Sequence, residues 1–315
     1  GLSDATKPPI RIGLFGPRGT GKTEAAITYA KAMNLPFKRI EMNQYAQGDP
    51  ALFLKELGAT IRANPYHVVL FDEFEKASIA VQNALLALLD SGFFNVQESG
   101  NVVREEKATV KVDARKAVFM LASNAGDDFI RQAFLEASGS QAALSAKTAE
   151  ENNAAIQKAL KSSLTPSMLE QHLMSQGLSG PILDRLQAVL PVFPATAFEF
   201  RNVVNLHASR IIDEANKELK DSKISLQFLN QADFVNLVAS KFYYPGITNR
   251  AALRILQDTL RDQITEAKLA HANEAWNGEF SADLVKVAKQ IEEQACDLSL
   301  TPKGSKIGFQ YGNQK

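Results

Sequence analysis

Short, continuous apolar runs alternate with longer stretches of helical period through residues 10–124. Segments 10–15 (IRIGLF), 37–42, 66–71 and 117–123 read as strands, and 23–33 (TEAAITYAKAM) and 78–89 (SIAVQNALLALL) read as helices. Within 78–89, Val81, Leu85 and Leu88 recur on one helical face and are predicted to be core. The run 67–71 (HVVLF) is continuous rather than alternating, as a central parallel strand covered on both faces requires. Strands of that kind interleaved with helices predict an α/β fold built on a doubly wound parallel sheet.

The pattern then changes. The polar stretch 97–116 holds two alternating segments, 101–104 (NVVR) and 108–112 (ATVKV), and predicts a β-hairpin. Residues 131–180 are rich in Ala, Ser, Gln and Lys, with little strand propensity, and read as helices with flexible connections. The segment 190–196 (LPVFPAT) reads as an interdomain hinge. Beyond it the chain becomes helical at 197–219, 231–240, 248–273 and 281–295, with a short ISLQF segment at 224–228. The expected organisation is a large nucleotide-binding domain over 1–192, a smaller, mostly helical domain over 193–300 and a loosely held tail over 301–315. The tail has room for a short strand at 306–310.

Composition narrows the class. A chain of 315 residues, 45% hydrophobic, can bury a core large enough for one large and one small domain. Lys+Arg and Asp+Glu both number 35, so net charge lends no support to a polyanion-binding surface, and a nucleic-acid partner is not expected. Cys296 is the one cysteine, which excludes an intrachain disulfide and fits a reducing compartment. No apolar run reaches the length of about 18 residues that a spanning helix needs, and a cytoplasmic location is expected. Because the chain begins at Gly1 and enters a core strand soon after, it reads as a piece of a longer polypeptide.

Candidate chemistry is concentrated at the strand ends. Gly16-Pro17-Arg18-Gly19-Thr20-Gly21-Lys22-Thr23 fits G-x-x-x-x-G-K-[ST], the phosphate-binding loop of P-loop nucleotidases. Its glycines let backbone N–H groups close around phosphate oxygens. Lys22 brings a charge to the β- and γ-phosphates, and the Thr23 hydroxyl can ligate Mg²⁺. The flanking strand and helix supply the required context, since the helix N-terminus faces the anion. A second signal follows at 67–73 (HVVLFDE), a buried run ending in two carboxylates. Strand C-termini are where open α/β sheets bind ligands. Asp72 is therefore a candidate for the Mg²⁺ shell and Glu73 for the base that polarises the attacking water. Alone, that pair could be a solvated acidic turn; with the phosphate loop at this spacing it points to ATP hydrolysis.

Together these stretches resemble the AAA+ ATPases of the Clp type, in particular the second ATPase module of Clp disaggregases. The resemblance lies in GLSDATKPPIRIGLFGPRGTGKTE, NPYHVVLFDEFEKASIAVQNALLALLDSGF, AVFMLASNAG and YYPGITNRAALRILQ, with the stretch around 181–193, in the family's order. By position it implies that Asn124 is the sensor 1 residue that helps orient the lytic water. It also implies that Arg185 is an arginine finger reaching a neighbouring subunit's γ-phosphate, and that Arg250, with Arg254 as fallback, is the sensor 2 arginine. Plainer alternatives remain: Asn124 as a strand-end cap, and Arg185 as a surface arginine paired with a carboxylate. The implied cofactors are ATP and Mg²⁺. The implied assembly is a homo-oligomeric ring, a hexamer, with nucleotide between the two domains and a protein client.

Two departures from the family pattern bear on function. The segment 45–65 is about a dozen residues shorter than the family's pore-loop region and places Gly48, not an aromatic, near the gripping position. Pro50 is predicted to start a helix that turns Phe53 inward. The hairpin and the 131–180 region are longer than the family norm. ATP chemistry is expected to persist without aromatic pore-loop threading, in service of remodelling protein complexes. A nucleic-acid-associated motor and a nucleotide-dependent assembly switch are the alternative functions.

Overall fold

The computed structural model describes residues 8–98, 108–218, 224–247, 249–270 and 276–280. The chain divides into two compact units, Gly1–Phe198 with Pro245–Arg250, and Glu199–Tyr244 with Ala251–Lys315.

The first unit runs β1 (Ile10–Phe15), α1 (Lys22–Ala32), β2 (Phe37–Glu41), α2 (Pro50–Ala63), β3 (Val68–Asp72), α3 (Ile79–Ser91), β4 (Phe93–Glu98), β5 (Ala108–Asp113), β6 (Val118–Ser123) and α4 (Asp127–Ser138). It continues with α5 (Gln141–Leu144), α6 (Ala149–Ser163), α7 (Pro166–Ser175), α8 (Gly180–Leu183) and β7 (Ala188–Pro191). Five strands form one parallel sheet in the order β2-β3-β6-β1-β7. Every residue of β3 and β6 is buried, which is why both read as unbroken apolar runs. Alternate side chains serve opposite faces. Val69, Phe71, Phe119 and Leu121 join Phe53, Leu57 and Ile61 of α2 and Leu85 and Leu88 of α3. Val68, Leu70, Val118 and Met120 join Ala26 and Ala30 of α1.

Two features differ from expectation, and a third, the helical reading of 131–180, matches it. The hairpin is present, but its first strand is β4, pairing Phe93 with Asp113 and Val96 with Val110. It starts straight after α3, where Gly92 ends the helix in a left-handed conformation. The segment 101–104 lies outside the described residues. The segment read as a hinge opens with the end of β7, an edge strand pairing Gly13 with Val189 and Phe15 with Pro191. Four residues leave too short a pattern for periodicity to detect. The 131–180 region resolves into α4 to α7, each of α5, α6 and α7 capped by a side-chain oxygen of Ser140, Thr148 or Thr165.

Hairpin and α2 pack tightly. A Cβ on Gly58 would lie 2.6 Å from Val96 Cγ2, so the mid-helix glycine marks the place where the hairpin crosses α2. Helix α2 opens as Pro50 requires, with Asp49 as N-cap accepting from Ala51 N at 2.8 Å.

The second unit comprises most of α9 (Ala197–Glu218), then β8 (Ile224–Phe228), α10 (Gln231–Phe242), most of α11 (Asn249–Ala270) and β9 (Trp276–Phe280). Buried residues recur at helical spacing in α9 (Phe200, Val204, Ala208, Ile211) and α11 (Leu256, Leu260, Ile264). Strand β9 was not anticipated and pairs in parallel with β8. The expected helix at 281–295 and the strand at 306–310 lie outside the described residues.

Candidate active site

Strand register assembles the site. Phe15 pairs with Ser123, and Phe71 with Leu121, so the C-terminal ends of β1, β3 and β6 deliver Gly16, Asp72 and Asn124 to one edge of the sheet. Gly16 N donates to Ser123 O at 3.2 Å. At Gly16 φ is +149°, and a Cβ there would lie 2.2 Å from Val192 O. Only glycine lets the loop leave β1 between its neighbours. Thr20 Oγ1 braces the loop by donating to Pro17 O at 2.9 Å. Gly21 N-caps α1 without a side-chain hydrogen bond, leaving the helix's first N–H groups open to an anion.

Lys22 is 7% exposed and its ammonium is fully engaged. Nζ donates to Gly16 O at 2.6 Å, Pro17 O at 2.8 Å and Asn124 Oδ1 at 3.0 Å. Burial lowers its pKa, opposed by the charges of Glu75, Asp72 and Asp127. Its three bonds go to neutral oxygens; phosphate oxygens in their place form the shorter, stronger charge-assisted bonds.

Asp72 is 7% exposed. Its Oδ2 accepts from Thr23 Oγ1 at 3.2 Å and Arg39 Nε at 2.8 Å, and its Oδ1 accepts from Glu73 N at 3.0 Å. The adjacent Thr23 and Asp72 oxygens form the hard, oxygen-only set that suits Mg²⁺, which keeps water and substrate phosphate for its remaining positions. Among the described residues no group of three or more His, Cys, Asp or Glu could hold a metal ion.

Glu73 adopts φ +55°, left-handed for a non-glycine residue. Such strain persists where the surroundings over-determine the backbone and clusters at functional sites. Its carboxylate lies 3.6 Å from Arg18 of the loop and 3.6 Å from Lys76, and 31% of its side chain is exposed. It is thus loosely held beside the loop, with one side open to solvent. Asn124 bridges: its Oδ1 takes a hydrogen bond from Lys22 and its Nδ2 gives one to Glu75 Oε1 at 3.2 Å.

Lys22, Thr23, Asp72 and Asn124 are brought together, with Arg18 and Glu73 beside them. Arg185 and Arg250 are not part of this network. Arg185 follows α8 and pairs with Asp90 at 2.7 Å, the surface ion pair left open by the sequence. Arg250 is exposed in the opening turn of α11, and Arg254 is exposed a turn further on. Two members of the site escaped the sequence reading. Arg39 sits on β2, where Glu41 is in register with Asp72; only that pairing reveals it. Glu75 had a visible signal, a third carboxylate two residues beyond Glu73 in FDEFEK.

A parallel sheet whose first strand feeds a glycine-rich loop and helix, with an acidic pair on a nearby strand end, defines a P-loop nucleoside triphosphatase. The chain belongs to the AAA domain family (Cdc48 subfamily), whose model matches residues 7–171, just over half of its length. It is similar to the chaperone protein ClpB of Porphyromonas gingivalis, 27% identical over 287 residues, covering 86% of this chain and 29% of that protein. It is also similar to chaperone protein ClpB 2 of Nostoc sp., 28% identical over 309 residues, covering 93% of this chain and 30% of that protein. A third relative is the ATP-dependent Clp protease ATP-binding subunit ClpA homolog of Cyanidium caldarium, 26% identical over 295 residues, 87% of this chain and 31% of that protein. The chain spans about three-tenths of the length of these curated relatives. It is a Clp-type AAA+ ATPase module. Among the described residues no helix is long and apolar enough to cross a membrane.

Proposed function

We propose that this module hydrolyses MgATP and uses the cycle to remodel protein complexes within a homo-oligomeric, hexameric ring. The carrying observation is the network joining Lys22, Thr23, Asp72 and Asn124. Residues 16–23 wrap the β- and γ-phosphates through backbone N–H groups, and Lys22 exchanges its carbonyl partners for phosphate oxygens. Thr23 and Asp72 hold Mg²⁺, which supplies charge neutralisation on the phosphate oxygens when bound. Glu73 accepts the proton of the attacking water. Asn124, fixed between Lys22 and Glu75, orients that water through its amide. Arg185 acts on a neighbour's γ-phosphate and Arg250 serves as the sensor 2 cation, as the Clp resemblance implies. Residues 1–192 are the nucleotide-binding domain, 193–300 the helical lid and 301–315 the tail. The lone Cys296 fits a reducing, cytoplasmic setting.

The names of the relatives, chaperone and protease ATP-binding subunit, support protein clients. Aromatic threading is not part of the proposal. Phe53 is fully buried, Tyr45 is 8% exposed, and the Tyr45 ring packs edge-on against Phe53 at 5.3 Å. Among the described residues the hairpin's cations are engaged, which lends no support to a nucleic-acid role. Arg115 pairs with Asp113 at 2.7 Å, and Lys111 lies 4.1 Å from the Phe93 ring centre.

The test is Glu73→Gln, which keeps volume and removes the charge. It should retain MgATP and lose turnover, whereas Lys22→Ala should weaken binding. Near wild-type hydrolysis by assembled Glu73→Gln protein would overturn the assignment.

A further inference from the structure

The guanidinium of Arg185 is anchored within its own chain. NH1 donates to Pro181 O at 2.6 Å and NH2 to Asp90 Oδ2 at 2.7 Å, while Nε is buried without a partner. Two terminal N–H groups remain, and 28% of the side chain is exposed. Asp90 lies in the last turn of α3, which holds no basic residue. Negative charge is disfavoured there because the helix dipole places its own negative end at that turn. Compensation comes from two cations. Besides Arg185, Arg11 of β1 donates to the neighbouring Leu89 O. Burial lowers the Arg11 pKa, Asp90 raises it, and Arg185 lowers it. Asp90 is therefore the carboxylate that lets two guanidiniums stand side by side. The helix end that carries it is fixed, since Gly92 N donates to Leu88 O at 2.8 Å.

We propose that Asp90 is a positioning residue for Arg185, clamping one edge of the guanidinium so that the other faces the adjoining subunit. The proposal rests on the reading of Arg185 as a finger that acts in trans. Without Asp90, Arg185 keeps one anchor, is repelled by Arg11 and swings about its side-chain torsions. Misplacing a reacting group by about 1 Å lowers turnover by roughly 10²-fold.

The test uses the full chain under assembly conditions, with ATPase rate and nucleotide affinity measured for single and mixed subunits. Asp90→Ala should lower turnover by 10- to 10²-fold with nucleotide affinity unchanged, and Asp90→Glu should recover part of it. Mixing Asp90→Ala with Glu73→Gln subunits should restore activity, because an intact finger then meets an intact Glu73. Mixing Asp90→Ala with Arg185→Ala should restore none. Asp90→Asn, the same size without the charge, repeats the series should the alanine variant fold poorly. The control mixture of Arg185→Ala with Glu73→Gln tests the finger itself. Recovery there with none for the Asp90 variants overturns the proposal and leaves the finger standing, as does wild-type turnover by Asp90→Ala and Asp90→Asn. Absence of recovery in the control removes the finger reading and this proposal with it.

Discussion

Asn124 accepts a hydrogen bond from Lys22 Nζ at 3.0 Å across 102 positions of sequence. The same amide donates to Glu75 at 3.2 Å, so one side chain ties Lys22 of the glycine-rich loop to the acidic turn after β3. The orientation of Asn124 is set at both ends, as a group that positions water requires.

Asn124→Ala is accordingly expected to lower ATP turnover by on the order of 10²-fold, as removal of one preorganised polar group does elsewhere, with nucleotide affinity changed only a few-fold. Glu75→Gln should produce a smaller loss, because the Asn124 amide keeps an acceptor. Steady-state ATPase rates beside equilibrium nucleotide titrations separate the two effects. A stability loss in Asn124→Ala with turnover per folded molecule unchanged would reduce Asn124 to a strand-end cap.

Two loop glycines should respond differently to alanine. Gly16 and Gly21 both have positive φ, but a Cβ on Gly21 meets nothing within 4 Å, whereas one on Gly16 meets Val192 O at 2.2 Å. Gly21→Ala is expected to lose about 1 kcal/mol from backbone strain. Gly16→Ala must also displace the backbone at Val192 and should be clearly worse. Urea denaturation of the two variants checks the order; equal losses would show that the contact at Val192 relaxes freely.

Phe53→Ala should destabilise the protein by about 3–5 kcal/mol, because it empties a fully packed site between Tyr45 and Phe71. Leu52, 63% exposed, should tolerate alanine within about 0.5 kcal/mol. Both variants, with Tyr45→Ala, belong in a client-remodelling assay with ATPase measured alongside. Loss of client work in Phe53→Ala or Tyr45→Ala with stability and ATPase intact would reveal a gripping aromatic.

A further expectation concerns pH. Burial tends to raise the Glu56 carboxyl, but hydrogen bonds from Tyr45 and Lys38 and the Lys38 charge hold it below the usual carboxylate range. The folded state thus binds its proton less tightly than the unfolded chain. The resulting stability is fully present above about pH 4.3 and is lost as pH falls through the folded value. The Tyr45 phenol is pushed up by burial and by its hydrogen bond to Glu56; its contribution is full below about pH 10 and declines above. Glu56→Gln should therefore be less stable than wild type by about 1 kcal/mol near neutral pH, with the gap closing on acidification. Denaturant titrations from pH 3 to 9 test this, and a gap that widens in acid would contradict it.

Much of the site was readable in order along the chain. The loop 16–23, the acidic pair Asp72-Glu73, the strand-end Asn124, and helix α2 opening at Pro50 with Phe53 inward are all local patterns. A glycine at a left-handed position, a proline at a first turn and an unbroken apolar run each act over a few residues, and the structure keeps them where the pattern put them. Less was readable where pairing is long-range. Strand β7 is too short for a period, the partner of β5 was misplaced to 101–104, and β9 was missed.

The sequence by itself determined which residues could bind phosphate and which runs would be buried strands, because backbone conformation and burial leave short-range signatures. Only the tertiary structure decided that Arg39 reaches Asp72, that Asn124 joins Lys22 to Glu75, and that Asp90 holds Arg185 beside Arg11. Those pairings depend on strand order and register, which bring together side chains that no local period relates.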